Sequence, residues 1–242
     1  MGGPKAHHTD MGPVSSVALL PSGWAVLLVC VMFGSSLPAG AIDAATIIDR
    51  MDAAYAKVED YQAHVEVRSF GSDGSVKIER FLYSFKKPKW IRLDMETPHP
   101  GMVLVYPDER GKVSVRPSGI MHFLTLHLSP GSHLLKVSAG QRLDQTDMGQ
   151  LIAKISHSLT DERQGPANII EEGGALVIRV LALDHFRPGI TTLYEFRIDE
   201  GFWLPVTVEE ATPAGHPERV VTFQDLRINT GITQAFFQAG SG

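Results

Sequence analysis

The chain has 242 residues, 43% of them hydrophobic and 20% charged, with a formal net charge of −5 and a single cysteine. Mild acidity without a basic block argues against a nucleic-acid partner or an anionic membrane surface. The length suffices for one sizeable core without a disulfide or metal staple, and no linker or repeat divides it, so one domain is expected.

The only long uncharged apolar run occupies 17–20 and 24–33, with Pro21, Ser22 and Gly23 between. A core of about ten residues suits an export signal and falls short of the about 20 needed to cross a bilayer. The stretch 34–41 breaks helix and ends in a small-x-small pattern, so cleavage after Ala41 is expected. That divides the chain into a signal segment, 1–41, and a working domain, 42–242. The domain is expected in the periplasm, or outside the cell where there is no outer membrane, as a monomer with no permanent membrane span. An uncleaved anchor over 17–37 is the alternative. Cys30 lies inside the apolar run, where lipid attachment is not expected, and cleavage would leave no cysteine. Disulfide scaffolds, thiolate metal sites and thiol catalysis then drop out of the working domain.

Helical spacing opens that domain. Ile47, Ile48, Met51, Ala54, Tyr55 and Val58 recur three and four apart behind Asp43, a candidate N-cap, and predict a helix over 44–59. From Tyr61 the period becomes two. Short alternating runs over 61–70, 76–85, 90–96, 102–106 and 112–115 are separated by Gly, Pro and Asp turns, the pattern of an antiparallel meander. A second helix is expected over 147–158, with Met148, Leu151, Ile152, Ile155 and Leu159 as its stripe. Strands resume at 169–170, 175–183, 191–198, 202–211 and 219–228, and 232–237 forms a terminal flap. Nine to eleven strands and two amphipathic helices imply a mainly β domain. Either a strongly bent sheet wrapping a helix or an incomplete barrel closed by helices would bury both stripes.

Catalytic signatures are lacking. G-x-S-x-G, H-E-x-x-H and a phosphate-cradling G-K-[ST] loop are absent. His122, His127 and His133 are spaced five and six apart, which matches neither a helix nor one strand face, so no metal site is expected. Asp184-His185 stands at a strand end before Arg187-Pro188-Gly189, where it suits a turn better than a nucleophile's base. Glu171-Glu172 and Glu209-Glu210 are neighbours on extended chain and point to opposite faces, so neither forms a carboxylate pair. No enzyme activity and no cofactor are expected.

Apolar side chains are in surplus. The strand 175–183 is apolar on both faces, as is much of 202–208. Loops covering the second face would account for this. A large apolar concavity suited to a greasy ligand would also do so. On that second reading Ile78, Leu82, Ile91, Leu93, Val103 and Val105 from the first half line the cavity. Leu176, Ile178, Leu204, Val206 and Val208 join them from the second half. Ile48, Met51, Tyr55, Leu151 and Ile155 form the lid.

The segment Phe85-Lys86-Lys87-Pro88-Lys89-Trp90-Ile91-Arg92-Leu93 resembles the Lys-Pro, aromatic, Arg signature of the LolA-like periplasmic lipoprotein carriers and sorting proteins. The run 101–106 with Gly111-Lys112-Val113, and the closing 202–206 and 223–237, are similar to later strands and the tail of that superfamily, nearest to an uncharacterised branch. The resemblance implies an unclosed antiparallel β-barrel of about eleven strands with a helical lid over an apolar cavity. It implies a carrier for a hydrophobic ligand such as lipoprotein acyl chains, with an envelope protein as donor or acceptor, and Arg68 as a lid-gating residue. A structural or protein-binding envelope component, or a periplasmic enzyme, are the alternatives.

Overall fold

The structure, a computed structural model, describes residue 2 and residues 42–119, 123–135, 142–161 and 166–238. The expected signal segment, its cleavage point, Cys30 and His122 lie outside the described residues. Among those described, no helix is long and apolar enough to cross a membrane.

In chain order the elements are α1 (Ala44–Ala56), β1 (Asp60–Phe70), β2 (Val76–Lys86), β3 (Trp90–Thr97), β4 (Val103–Tyr106), β5 (Val113–Arg116) and β6 (Leu126–Leu128). Then follow α2 (Met148–Thr160), β7 (Asn168–Glu172), β8 (Ala175–Leu183), β9 (Thr191–Asp199), β10 (Leu204–Ala211) and β11 (Pro217–Ile228). The strands form one antiparallel sheet in the order β6-β5-β4-β3-β2-β1-β11-β10-β9-β8-β7. Two meanders are thus zipped together at the centre by β1 and β11, while β6 and β7 are the edge strands among the described residues. The sheet is antiparallel, as the turn pattern implies, and open, as the resemblance implies.

Local chemistry sets the turns. Asp73 accepts the amide of Ser75 between β1 and β2, where Gly74 supplies a φ of 81°. Asp199 accepts the amides of Gly201 and Phe202 between β9 and β10. Both helices begin on an aspartate cap: Asp43 Oδ1 accepts from Thr46 N, and Asp147 Oδ1 from Gln150 N.

One face of the sheet carries the main core. Tyr61 stacks between Tyr83 and Phe85, with ring centroids 5.7 and 5.0 Å away, and Tyr194 stacks on Phe196. Onto this face α1 packs Ile47 and Met51, and α2 packs Met148, Ile152 and Ile155, all at most 2% exposed. The helices meet at Gly149, where a Cβ would lie 2.6 Å from the Tyr55 ring, so any larger residue there would require the ring to shift. Tyr61 Oη accepts the Met148 amide at 3.0 Å and Tyr83 Oη lies 3.2 Å from Thr146 Oγ1, which fastens the start of α2 to β1 and β2.

The opposite face is covered in part by the C-terminal tail. Phe237 is buried with Val103 and Val105, and Trp90, Ile232 and Phe236 pack around them. Asp60, 2% exposed, holds the tail by accepting from Thr230 N, Thr230 Oγ1, Gly231 N and Ile232 N. Arg92 donates to the Phe236 carbonyl at 2.9 Å and lies over its ring.

This arrangement corrects several expected side-chain directions. On β2 the inward residues are Phe81, Tyr83 and Phe85, whereas Ile78 and Leu82 stand opposite Arg68 and His64 on the outer face. Both faces of β2 carry apolar residues, and the three aromatic rings, with the larger area to bury, take the core. Val103 and Val105 also face outward, under the tail, and Leu104 enters the core in their place. Val206 falls in an irregularity where Pro205 pairs with Ile198 and Thr207 with Arg197, so it belongs to neither cluster. Arg68 is on the outer face, bound to Glu66, which also takes Arg80.

Candidate functional site

Between α2 and the sheet lies a hollow whose floor is made by Val65, Val67 and Phe81 from one half and by Phe196, Val208, Val221 and Phe223 from the other. It straddles the β1–β11 seam, so neither half of the chain forms it alone. Counting its open mouth it measures about 740 Å³, of which only about 80 Å³ is free for a water-sized body to move in. A buried space of about 150 Å³ is enough for a benzene ring, so as it stands the hollow is a tight slot.

The roof is one side of α2. Asp147, Leu151 and Lys154 succeed one another at spacings of four and three, on one face beside the buried stripe, and all three line the hollow. Asp147 and Lys154 are seven residues apart, or about 10 Å along the helix axis. Beneath Lys154 lies a polar corner of Glu210, Arg219, His185 and Phe186.

Each charged group there has a definite environment. Glu210 and Arg219, both 6% exposed, form a two-pronged ion pair through Nε and Nη2. Asp147 uses Oδ1 to cap α2, and the Lys89 ammonium is 4.0 Å from its other oxygen. Lys154 has no carboxylate within ion-pairing distance among the described residues. Its ammonium sits over the Phe186 ring, 3.9 Å from the centroid, and the Arg219 guanidinium is 5.3 Å from the same ring. Burial, and then the charge of Arg219, bring the Lys154 ammonium down to about 8 against the pull of Glu210 and Asp147. Burial and the neighbouring Lys154 and His157 push His185 down to about 4, so its imidazole is neutral at pH 7.

His185 Nε2 lies 3.1 Å from Ser158 Oγ, a serine–histidine contact that spacing along the chain could not reveal. It does not make a nucleophile. The Asp184 carboxylate turns away to the amides of Phe186 and Arg187, the Arg187 guanidinium and Thr192 Oγ1, as a turn-shaping residue does. Ser158 is 3% exposed and forms no part of the wall of the hollow. The contact ties the far end of α2 to the β8–β9 turn. Glu209 is exposed and Glu210 buried, as adjacent residues on a strand should be. Among the described residues no three His, Cys, Asp or Glu side chains converge as a metal site. His127 instead pairs with Asp108 at 2.6 Å.

Of the residues expected to line a cavity, Val208 and the lid residue Leu151 border the hollow. Ile91, Leu93, Leu176, Ile178 and Leu204 lie in the filled core on the same face of the sheet, with Met51 and Ile155 packed against them and Ile48 and Tyr55 at the margin. The polar corner was missed. Its one legible signal was Lys154 itself, a lysine in register with Leu151 and Ser158 on the half-buried side of an amphipathic helix. A second, wider groove, about 1330 Å³ counting its open mouth, lies on the outer face between Trp90, Phe237 and the charged loop Asp108-Glu109-Arg110.

No protein-family model matches the chain, and no curated protein matches it in sequence. The chain is similar in fold to solved MucB and LolA-type structures. A crystal structure of MucB is 16% identical over 84% of this chain, with a TM-score of 0.48, and in the Pseudomonas aeruginosa MucA/MucB complex the figures are 16%, 81% and 0.45. This chain spans only 64% and 60% of the matched chains in those two structures. A LolA superfamily protein from Nitrosomonas europaea is 11% identical over 82% of this chain and 99% of its own, with a TM-score of 0.38.

Proposed function

We propose that this chain is a non-catalytic binding protein of the periplasm that carries a hydrophobic ligand, such as an acyl chain, in the hollow between α2 and the sheet. The observation that supports this is the apolar floor itself. Seven side chains from β1, β2, β9, β10 and β11, all part of the main core or packed against it, also border the opening, and Leu151 is the main apolar contact above them. Burial in such a floor contributes about 0.8 kcal/mol per CH₂, so even a partly enclosed chain repays association costs. Because the slot is narrow, full entry of a long chain requires α2 to rise. That motion would be resisted at one end by Tyr61 and Tyr83 and at the other by His185.

Native mass spectrometry of protein purified gently from the envelope, followed by lipid extraction, tests the reading. Expected is a reproducible one-to-one acyl cargo that is lost in Val221→Trp, a half-buried position where an indole would fill the slot. Protein that is always empty, and that binds no fluorescent fatty acid, would sink it.

A second reading, a protein-binding envelope component, is favoured by the free edge strands. β7 offers unpaired backbone beside Ile170, which is 41% exposed, and an added strand could pair there.

A further inference from the structure

The wall of the hollow is not uniformly apolar, and its lysine, which has no ion-pair partner among the described residues, is placed at an end. Glu210 is neutralised by Arg219, and Asp147 caps α2 through Oδ1 while its Oδ2 is buried without a hydrogen bond, 4.0 Å from the Lys89 ammonium. Lys154 is left as a cation facing the slot with only an aromatic ring beneath it. A half-buried ammonium without an anion is an unfavourable element in a fold, because it gives up hydration and receives only the ring quadrupole in return. A salt-bridge partner on the neighbouring strands would have relieved it, but the one nearby carboxylate there, Glu210, is committed to a guanidinium. Among the described residues no further carboxylate pairs with Lys154, which leaves its ammonium open to an anionic ligand.

We propose that the hollow takes a single-chain amphiphile head first in register with α2: an anionic head group, carboxylate or phosphate, sits on Lys154 above Phe186, and the alkyl chain runs beneath Leu151 over Val208, Val221 and Val67. This rests on the reading of the hollow as a lipid slot and specifies which end of the ligand is recognised. Arg219 stands on the other approach to the same ring and adds a second positive group near the head. Its guanidinium remains paired to Glu210, so the discriminating charge is that of Lys154. Asp147, about two helical turns away at the opposite end of the roof, would repel a head group placed the wrong way round. The corner therefore sets direction as well as class.

The test compares three ligands of equal chain length, palmitate, hexadecyl phosphate and hexadecanol, by displacement of a fluorescent fatty acid from the purified protein at pH 7. Expected is binding of both acids at least tenfold tighter than the alcohol. Lys154→Met should erase that difference by weakening the acids and leaving hexadecanol unchanged, and Lys154→Arg should preserve it. The order of palmitate and hexadecyl phosphate then identifies which head group the corner prefers. Hexadecanol binding as tightly as palmitate, or palmitate affinity unchanged in Lys154→Met, would overturn the head-group assignment while leaving the slot as a lipid site. If none of the three displaces the probe from the wild-type protein, the lipid reading fails, and this proposal with it.

Discussion

The two faces of the sheet are covered in opposite ways. On the outer face the tail closes over β3 and β4 as a finished seal, with Phe237 1% exposed and Asp60 taking four hydrogen bonds from residues 230–232. On the inner face α2 is held at its two ends and leaves space under its middle, roofed by Leu151 and Lys154. Both covers lie on apolar strands, so burial alone does not distinguish a structural face from a binding face. What does so is whether the polar groups beneath the cover are mutually satisfied. Asp60 and Arg92 are satisfied by the tail they hold, whereas Lys154 has an aromatic ring and no carboxylate as its partner among the described residues.

The largest expected effect tests the sealed face. Asp60→Ala removes a buried carboxylate that organises four donors. Each hydrogen bond to a charged group contributes about 1.5 to 3 kcal/mol, and they are not additive, so a loss of about 3 to 5 kcal/mol is expected in urea unfolding. Proteolysis within 229–238 should accelerate at the same time, with ligand affinity in the hollow unchanged. A loss below about 1 kcal/mol would mean that Phe237 and Val105 hold the tail without Asp60.

Next comes the roof of the hollow. Leu151→Ala removes a half-buried side chain next to existing space, so its cost should be about 1 to 2 kcal/mol, well below the 2 to 5 kcal/mol of a fully buried leucine. Hexadecanol should bind severalfold more tightly in the enlarged slot. By contrast Ile155→Ala, in the filled core beside it, should cost the full amount and gain nothing in affinity. Equal losses at both positions would place Leu151 in the core and remove the contrast between stripe and roof.

The helix contact is a smaller and more finely balanced case. Gly149→Ala gains about 1 kcal/mol of helix propensity but sets a methyl group 2.6 Å from the Tyr55 ring. Overpacking of that kind costs about 1 to 3 kcal/mol, so a net loss of about 1 kcal/mol is expected by thermal melting. Tyr55→Ala in the same background should relieve the clash, and the two substitutions should couple strongly.

How much of this could be read in advance follows the same division. Alternation and turn residues gave the meanders, and the stripes gave both helices to within three residues at either end. The zipping of β1 to β11 was not legible, because strands some 150 residues apart leave no local mark when both simply alternate. Side-chain direction failed where strands are apolar on both faces. Val103 and Val105 look identical to core residues until the tail that covers them is in place, and the rings of Phe81, Tyr83 and Phe85 outweigh Ile78 and Leu82 only in three dimensions. The polar corner draws on α2, β10, β11 and the β8–β9 turn, so no spacing announces it.

The smallest expected effect, and the one most particular to the open face, is its response to pH. His185 and Lys154 both hold less proton in the folded chain than their ordinary values imply, at about 4 and about 8. For His185 the unfolded chain takes up a proton between about 6.5 and 4 that the folded chain refuses, so stability falls as pH drops through that window. For Lys154 the unfolded chain keeps a proton between about 8 and 10.4 that the folded chain has released, so stability rises as pH climbs through that range. Lys154→Met should therefore flatten the alkaline limb and leave the acid limb in place, with Arg219, Glu210 and Asp147, the charged groups that act on this lysine from β11, β10 and the start of α2, left unaltered. An anion bound on Lys154 favours its ammonium form, so binding draws in a proton near pH 8, and palmitate affinity should decline as pH rises beyond that point. Hexadecanol, with no charge to offer, should bind alike on both sides of it. A palmitate affinity that is flat from pH 7 to 10 would place the head group away from Lys154, whereas a decline that persists in Lys154→Met would move the assignment to another cation at the mouth.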